Sequence, residues 1–390
     1  MRVKLKELGR ISTGNTPSKN VPEFYSSEDI GFVKPDIISE LQIDYIENTT
    51  EYLSEKARNK ARIVKKDAIF VTCIGNIGKI GIAKNKEFAF NQQINAIEPN
   101  EKILPEYLAY GIFANKRRLQ AIANAPVVPI INKTQFSEFE IEIISDKKEQ
   151  LKIVELLDKV RKIITKQKEE LEKLDTLVKS RFIEMFGDPI ANSFNVKTKP
   201  MTEVCEIIDG DRGKNYPTAE EFLEEGYCLF LNTKNVTSSG FNFETCMFVT
   251  KEKDEILRNG KLKRGDVVLT TRGTIGNIAF YTDKIPYEHI RINSGMVILR
   301  MHREEINEIY FIEQFKMQLA DIKGKIANGS AQPQLPISKM NKIQVLLPDI
   351  NLQNKFAKFV RQVDKSKLLV QKSLEQTQQL FDSLMQKYFL

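Results

Sequence analysis

A chain of 390 residues is too long for a single hydrophobic core, and about two to four domains are expected. Its 41% hydrophobic and 28% charged residues are those of an ordinary soluble globular protein, and no stretch reaches the ~18 apolar residues of a membrane span. Lysine and arginine outnumber aspartate and glutamate 59 to 52, a net charge of +7 that leans toward a polyanionic partner. Cys73, Cys205, Cys228 and Cys246 form no Cys-x-x-Cys pair, which argues against a disulfide framework or a zinc site. Met1-Arg2-Val3-Lys4-Leu5-Lys6 has no apolar run behind its charges, so no export signal is expected, and the expected location is the reducing cytoplasm.

Residues 1–145 read as a mixed, strand-rich globular domain. Leu5, Leu8 and Ile11 fall at helical spacing, which predicts a short opening helix stopping at Gly14 in the turn Gly14-Asn15-Thr16-Pro17-Ser18. Strands are predicted over 30–38, 67–72 and 89–98, and a helix over 106–124. Further segments at 127–131 and 139–144 lead into the next element.

Over 147–186 Leu157, Ile164, Leu171, Val178 and Met185 return every seventh residue, with Ile153, Val160 and Leu174 in a second line. That spacing marks a long helix seeking a helical partner. At 1.5 Å per residue, roughly 40 residues make a rod about 60 Å long, too long to hide inside one small domain. Gly187 and Pro189 end it, because glycine tolerates a left-handed cap and proline cannot continue the ladder. A polar linker follows.

The chain then starts again. Met201-Thr202-Glu203-Val204 and Ile207 echo Leu5-Lys6-Glu7-Leu8 and Ile11, and Gly210 echoes Gly14. Residues 229–236 stand against 32–37, Lys263 to Thr271 against Lys65 to Thr72, Gly273-Thr274-Ile275-Gly276 against Gly75-Asn76-Ile77-Gly78, Asn293 against Asn91, and Ile326-Ala327-Asn328 against Ile122-Ala123-Asn124. A second heptad run carries Phe356, Val360, Val363, Val370, Leu374, Phe381, Leu384 and Tyr388, and Gln353 before it answers to Gln150 before the first. Matches in the same order, ending in matching helices, are an internal duplication.

The expected fold is therefore α+β. Two tandem strand-rich domains, 1–145 and 199–348, are each followed by a long helix, 146–187 and 349–390, with a linker at 188–198. The helices should pair as an antiparallel coiled coil with internal pseudo-twofold symmetry, through Leu157, Ile164, Leu171, Leu174 and Val178 on one and Val360, Val363, Leu374, Phe381 and Leu384 on the other. Such a coil would act as a ruler between two heads whose loops differ.

The glycine turns are not phosphate loops. Cys73 to Lys79 lacks the first glycine of that motif, Ile80 stands where the magnesium-binding hydroxyl belongs, and Thr271 to Gly276 lacks the lysine. His289 and His302 have no nucleophile or metal-ligand partner nearby in sequence, and no Asn/Asp-Pro-Pro-Tyr/Phe tetrapeptide for amino-methyl transfer occurs. No catalytic or metal site is expected. What recurs on loops is amide, hydroxyl and cationic chemistry. The first half offers Lys34, Asn76, Lys79, Asn91, Gln92 and Lys133; the second offers Arg212, Lys234, Arg272, Thr274, Asn277, Arg291, Asn293, Ser330, Gln332 and Lys339. Such groups read base edges and hold phosphates, and all are candidate DNA contacts.

The duplicated domain-plus-helix pattern resembles the specificity subunit of type I restriction-modification systems. So do the helix end Phe186-Gly187-Asp188-Pro189, the Asn15-Thr16-Pro17 turn, and Asp29 to Pro35 with its counterpart 226–236. The resemblance spans essentially the whole chain. It implies two target-recognition domains that read a split, asymmetric site on double-stranded DNA. It also implies helices that set the gap and dock two modification subunits, which would methylate adenine N6 with S-adenosylmethionine. Restriction subunits using ATP and Mg would complete the complex, and this chain itself would bind no cofactor and catalyse nothing. Two other classes stay open: the specificity partner of a fused type II nuclease-methyltransferase, and a coiled-coil scaffold with no DNA role.

Overall fold

The structure, a computed structural model, describes residues 1–85, 87–123, 128–327 and 334–390. Two compact units emerge: residues 1–168 with 372–390, and residues 169–371. The division differs from the expected one, in which each helix stood apart from the domains. It cuts both long helices, Lys147–Phe186 and Ile350–Phe389, because the two ends of each helix are buried in different units.

In unit 1 the strands Gly9–Thr13, Ile94–Pro99, Ile69–Thr72, Ile80–Ala83 and Ile43–Ile46 form one sheet in that order. A second sheet orders Tyr52–Leu53, Ile30–Val33, Glu87–Phe90 and Ile63–Lys65, with Phe32 and Ala89 in parallel register. Arg2–Lys4 pairs with Glu140–Glu142. On this frame Ile153, Leu157, Val160 and Ile164 of the first helix share a core with Phe381, Met385 and Phe389 of the second, and Leu374 and Leu384 pack against it. The rings of Tyr107 and Phe389 lie 4.9 Å apart. Gln150, fully buried, anchors the helix start: its Oε1 accepts from Leu104 N–H (2.9 Å) and its Nε2 donates to Ile144 O (2.7 Å).

Unit 2 repeats the plan. Cys205–Asp209, Met296–Met301, Val267–Thr270 and Ile278–Phe280 form one sheet, and Phe248–Val249, Cys228–Leu231 and Ile290–Ile292 another, with Phe230 and Arg291 in parallel register. Thr198–Pro200 pairs with Gln344–Leu346. Here the first helix enters with its other end: Val178, Phe182 and Phe186 share a core with Phe356, Val360 and Val363, and Leu174 packs against it. Leu171 is half-buried and belongs to neither core. Asp175 pairs with Lys367 (2.5 Å) while Phe182 meets Phe356 (5.4 Å between centroids), so the segments run antiparallel. Phe186 lies 4.9 Å from Tyr310, as Phe389 does from Tyr107. Gln353, also fully buried, accepts from Asn307 N–H (2.9 Å) and donates to Pro348 O (2.9 Å) and Glu305 O (3.1 Å), the counterpart of the Gln150 anchor.

Several predicted elements are shorter than their sequence signal. The opening helix ends at Leu8, because Gly9–Thr13 joins the sheet with Ile11 opposite Ile97. The strand expected over 30–38 stops at Val33, where Pro35, having no N–H to donate, begins a 3-10 turn. The strand expected over 89–98 is two, in different sheets, broken where Asn91 Oδ1 accepts from Gln93 N–H (3.1 Å). The helix expected over 106–124 is two, Pro105–Ala114 and Lys116–Ala121. Of the segment expected over 127–131, Ile130 alone bridges among the described residues, to Ile74. Asn124, Val127 and Asn328 lie outside the described residues.

Candidate nucleic-acid interface

The two glycine turns are one structure made twice. Thr72 Oγ1 donates to Asn76 O (2.6 Å) and accepts from Lys79 N–H (3.0 Å); Thr270 Oγ1 donates to Thr274 O and accepts from Asn277 N–H (2.9 Å). Gly75 and Gly273 have φ of +73° and +68°, and Gly78 and Gly276 both +87°, which side-chain-bearing residues rarely adopt. Beside each turn an asparagine folds the following loop: Asn91 Oδ1 takes Gln93 N–H, and Asn293 Oδ1 takes Gly295 N–H (2.9 Å). The loop carbonyl then receives the turn, from Cys73 N–H to Gln93 O (2.7 Å) and from Thr271 N–H to Gly295 O (2.8 Å). Gly14 and Gly210 back these loops so closely that a Cβ would sit 2.2 Å from Asn91 O and from Asn293 O respectively.

On this shared frame the candidate contacts divide by whether their polar groups are already used. In unit 1, Lys34 pairs with Glu51, Lys79 Nζ donates to Pro35 O (2.9 Å), Asn76 Nδ2 to Glu40 (2.8 Å), and Asn91 is buried and donates to Gln93 Oε1 (3.0 Å). Gln92 is exposed and accepts from Thr16 Oγ1 (2.7 Å). Lys133 is exposed at the first turn of a helix capped by Asn132. In unit 2, Arg212 bridges Asp209 (3.0 Å) and Ser294 O (3.2 Å), and Asn277 Nδ2 donates to Val236 O (2.9 Å). Lys234, Arg272, Thr274 and Lys339 are exposed, and the side chain of Asn293 turns inward. A recess of about 300 Å³ beside Arg272 is lined by Asp209, Arg212, Thr271, Gln334 and Ser338. Ser330 and Gln332 lie outside the described residues.

Arg291 is the clear correction. It is buried, its Nε donates to Asp254 Oδ1 (2.5 Å), Nη1 to Asn259 O (2.7 Å), and Nη2 to Asp254 O (2.6 Å) and Leu257 O (2.8 Å). A guanidinium so enclosed holds the segment 254–259 onto the strand and presents nothing to solvent. Burial works to raise the Asp254 carboxyl, but hydrogen bonds from Lys261 and Arg291 outweigh it and hold it below the usual range.

Sequence reasoning places Cys73 or Ile74 near the position of Arg272 but does not count Ile74, Ile130 or Gln334 among the candidate contacts. Ile74 and Ile130 bridge one another, and Arg272 and Gln334 bridge in the same way. The repeat carries no signal for the partners Ile130 and Gln334, which the fold brings across from distant segments. Burial pushes the thiols of Cys73, Cys205 and Cys228 up to about 12, so they stay protonated packing groups. His289 stacks on Tyr227, and His302 Nδ1 lies 3.0 Å from Glu203 O. Among the described residues no group of three or more His, Cys, Asp or Glu side chains could hold a metal ion, and no helix is long and apolar enough to cross a membrane.

A strand-rich unit built twice on one frame, with different side chains on equivalent turns, defines an internally duplicated recognition protein. Residues 1–173 and 195–379 each match the family model for the type I restriction modification DNA specificity domain, and the chain belongs to that family. It is similar to the type I restriction enzyme MjaIX specificity subunit of Methanocaldococcus jannaschii, 25% identical over 98% of this chain and 91% of that one. It also resembles the HindI specificity subunit of Haemophilus influenzae, 32% identical over 40% of this chain and 35% of that one. In fold it is similar to the type I S subunit from M. genitalium (TM-score 0.59, 18% identity, 100% and 96% of the two chains). A chain from a structure of type I restriction-modification complex assembly gives a TM-score of 0.60 at 16% identity, covering 100% and 97%. The chain is a type I specificity subunit, the DNA-recognising and non-catalytic component of its complex.

Proposed function

We propose that the chain reads a split, asymmetric DNA site, one half with each strand-rich domain, 1–145 and 199–348, and that helices 146–187 and 349–390 set the gap. The observation that carries this reading is the duplicated turn: an identical backbone device bears Ile74, Asn76 and Lys79 in one domain and Arg272, Thr274 and Asn277 in the other. Equal frames with unequal side chains suit two half-sites of different sequence. Lys133, Lys234 and Lys339 would hold phosphates, and Arg272, Thr274 and Gln92 would reach base edges. Two modification subunits carrying S-adenosylmethionine would methylate adenine N6, and restriction subunits would use ATP and Mg, all in the cytoplasm. Leu368 and Leu369, each 69% exposed on the second helix, support a protein partner along it.

The test is methylome sequencing of cells expressing this chain with its methyltransferase subunit, against cells expressing the methyltransferase alone. N6-methyladenine in a split asymmetric motif that needs this chain is the expected result. An assembled complex that adds no new motif would refute the reading.

A further inference from the structure

The two turns differ most at one place. Ile74 bridges Ile130 and Arg272 bridges Gln334, each pair antiparallel. The places are equivalent, since the preceding carbonyl takes the bridging segment in both: Ile131 N–H donates to Cys73 O (2.8 Å) and Leu335 N–H to Thr271 O (2.9 Å). Residues facing each other across an antiparallel bridge put their side chains on one face, about 5 Å apart. Unit 1 therefore shows an apolar pair, with Ile130 39% exposed, where unit 2 shows an exposed guanidinium beside an exposed amide.

Arg272 also stands apart from its neighbours. Arg212, Arg300 and Arg303 are tied to carboxylates and Arg264 to three backbone carbonyls, whereas the Arg272 guanidinium has no hydrogen-bond or ion-pair partner among the described residues, only its backbone N–H being used, by Gly295 O (3.2 Å). An unpaired guanidinium rising from a turn locked by two left-handed glycines is pre-oriented for an outside acceptor pair.

We propose that this single turn position selects opposite base-pair classes in the two half-sites. Arg272, flanked by Gln334, takes the O6 and N7 acceptors of a guanine in the half-site of unit 2. Ile74 with Ile130 packs on the methyl group of a thymine in the half-site of unit 1. Major-groove edges present just these groups, a paired acceptor on guanine and a methyl on thymine. The inference rests on the split-site reading above.

The experiment is binding selection from duplexes randomised in both half-sites, using the specificity subunit assembled with its methyltransferase subunits. Wild type, Arg272→Ile, Arg272→Lys and Ile74→Arg are compared. Arg272→Ile should lose a guanine preference of about tenfold or more at one position of one half-site, leaving the other half unchanged. Arg272→Lys should keep guanine with a reduced preference. Ile74→Arg should convert one A·T position to G·C in the opposite half-site. Thermal melting of each variant separates lost reading from lost folding, and the lysine variant keeps the charge. A wild-type motif that the isoleucine and arginine variants leave intact, or that both alter in the same half, overturns this inference and spares the split-site reading. An assembled wild-type complex with no sequence preference overturns both.

Discussion

Arg291→Ala separates a structural from a DNA-binding role for a residue whose type suggests the latter and whose place in the strand Ile290–Ile292 suggests the former. The substitution removes four donated hydrogen bonds and one charge from a pair in which Asp254 is fully buried. Breaking a buried pair costs about 3–5 kcal/mol, because the remaining charge is stranded out of water. Lys261 keeps a second cation on Asp254, so about 3 kcal/mol, the lower end, is expected. At ~2–4 °C per kcal/mol for a unit of ~150–250 residues, the transition of unit 2 should fall by about 6–12 °C. Hydrogen exchange locates the effect. Amides of Lys251–Ile256 and Ile290–Ile292 should lose protection while Ile69–Thr72 in unit 1 keeps it. The double variant with Asp254→Ala should lose less than the sum of the single losses, as members of one network do. An unchanged transition and unchanged exchange, together with a lost base preference, would refute the burial argument and return Arg291 to the DNA face.

The paired glutamine anchors give a symmetric prediction. Gln150→Ala and Gln353→Ala each strand a backbone N–H, Leu104 in one unit and Asn307 in the other, and should each cost about 2–3 kcal/mol, read as faster exchange at those amides in the affected unit alone. Stability should also depend on acid through Asp254. A carboxyl held low in the folded state stabilises above its unfolded value and loses that contribution as pH falls through the folded one. Unit 2 should therefore weaken as pH drops below the ordinary aspartate value of 3.8, and Asp254→Asn should flatten that slope in acid-unfolding curves; an unaltered slope would remove the residue from the account.

How much was legible in the sequence follows from the range of each interaction. Heptad spacing places apolar residues on one helical stripe whatever surrounds them, so the helices at Lys147–Phe186 and Ile350–Phe389 could be read from the chain. The glycines of the duplicated turns were legible for a related reason, since positive φ is a local demand that few other residues meet. Order and spacing of the repeats then carried the tandem architecture. Which cations stay free was not legible. Arg291 and Arg272 are the same residue type in one domain, yet one, on the strand Ile290–Ile292, is enclosed by Asp254 and three carbonyls and the other, on a turn, faces solvent. Nor did periodicity show that each helix divides its ends between two cores, with Phe389 against Tyr107 and Phe186 against Tyr310. The sequence by itself determined the long helices, the duplication and the glycine turns, because these depend on a residue and its near neighbours. Only the tertiary structure decided burial and pairing, because a charge is satisfied or left free by groups that the fold brings from elsewhere in the chain.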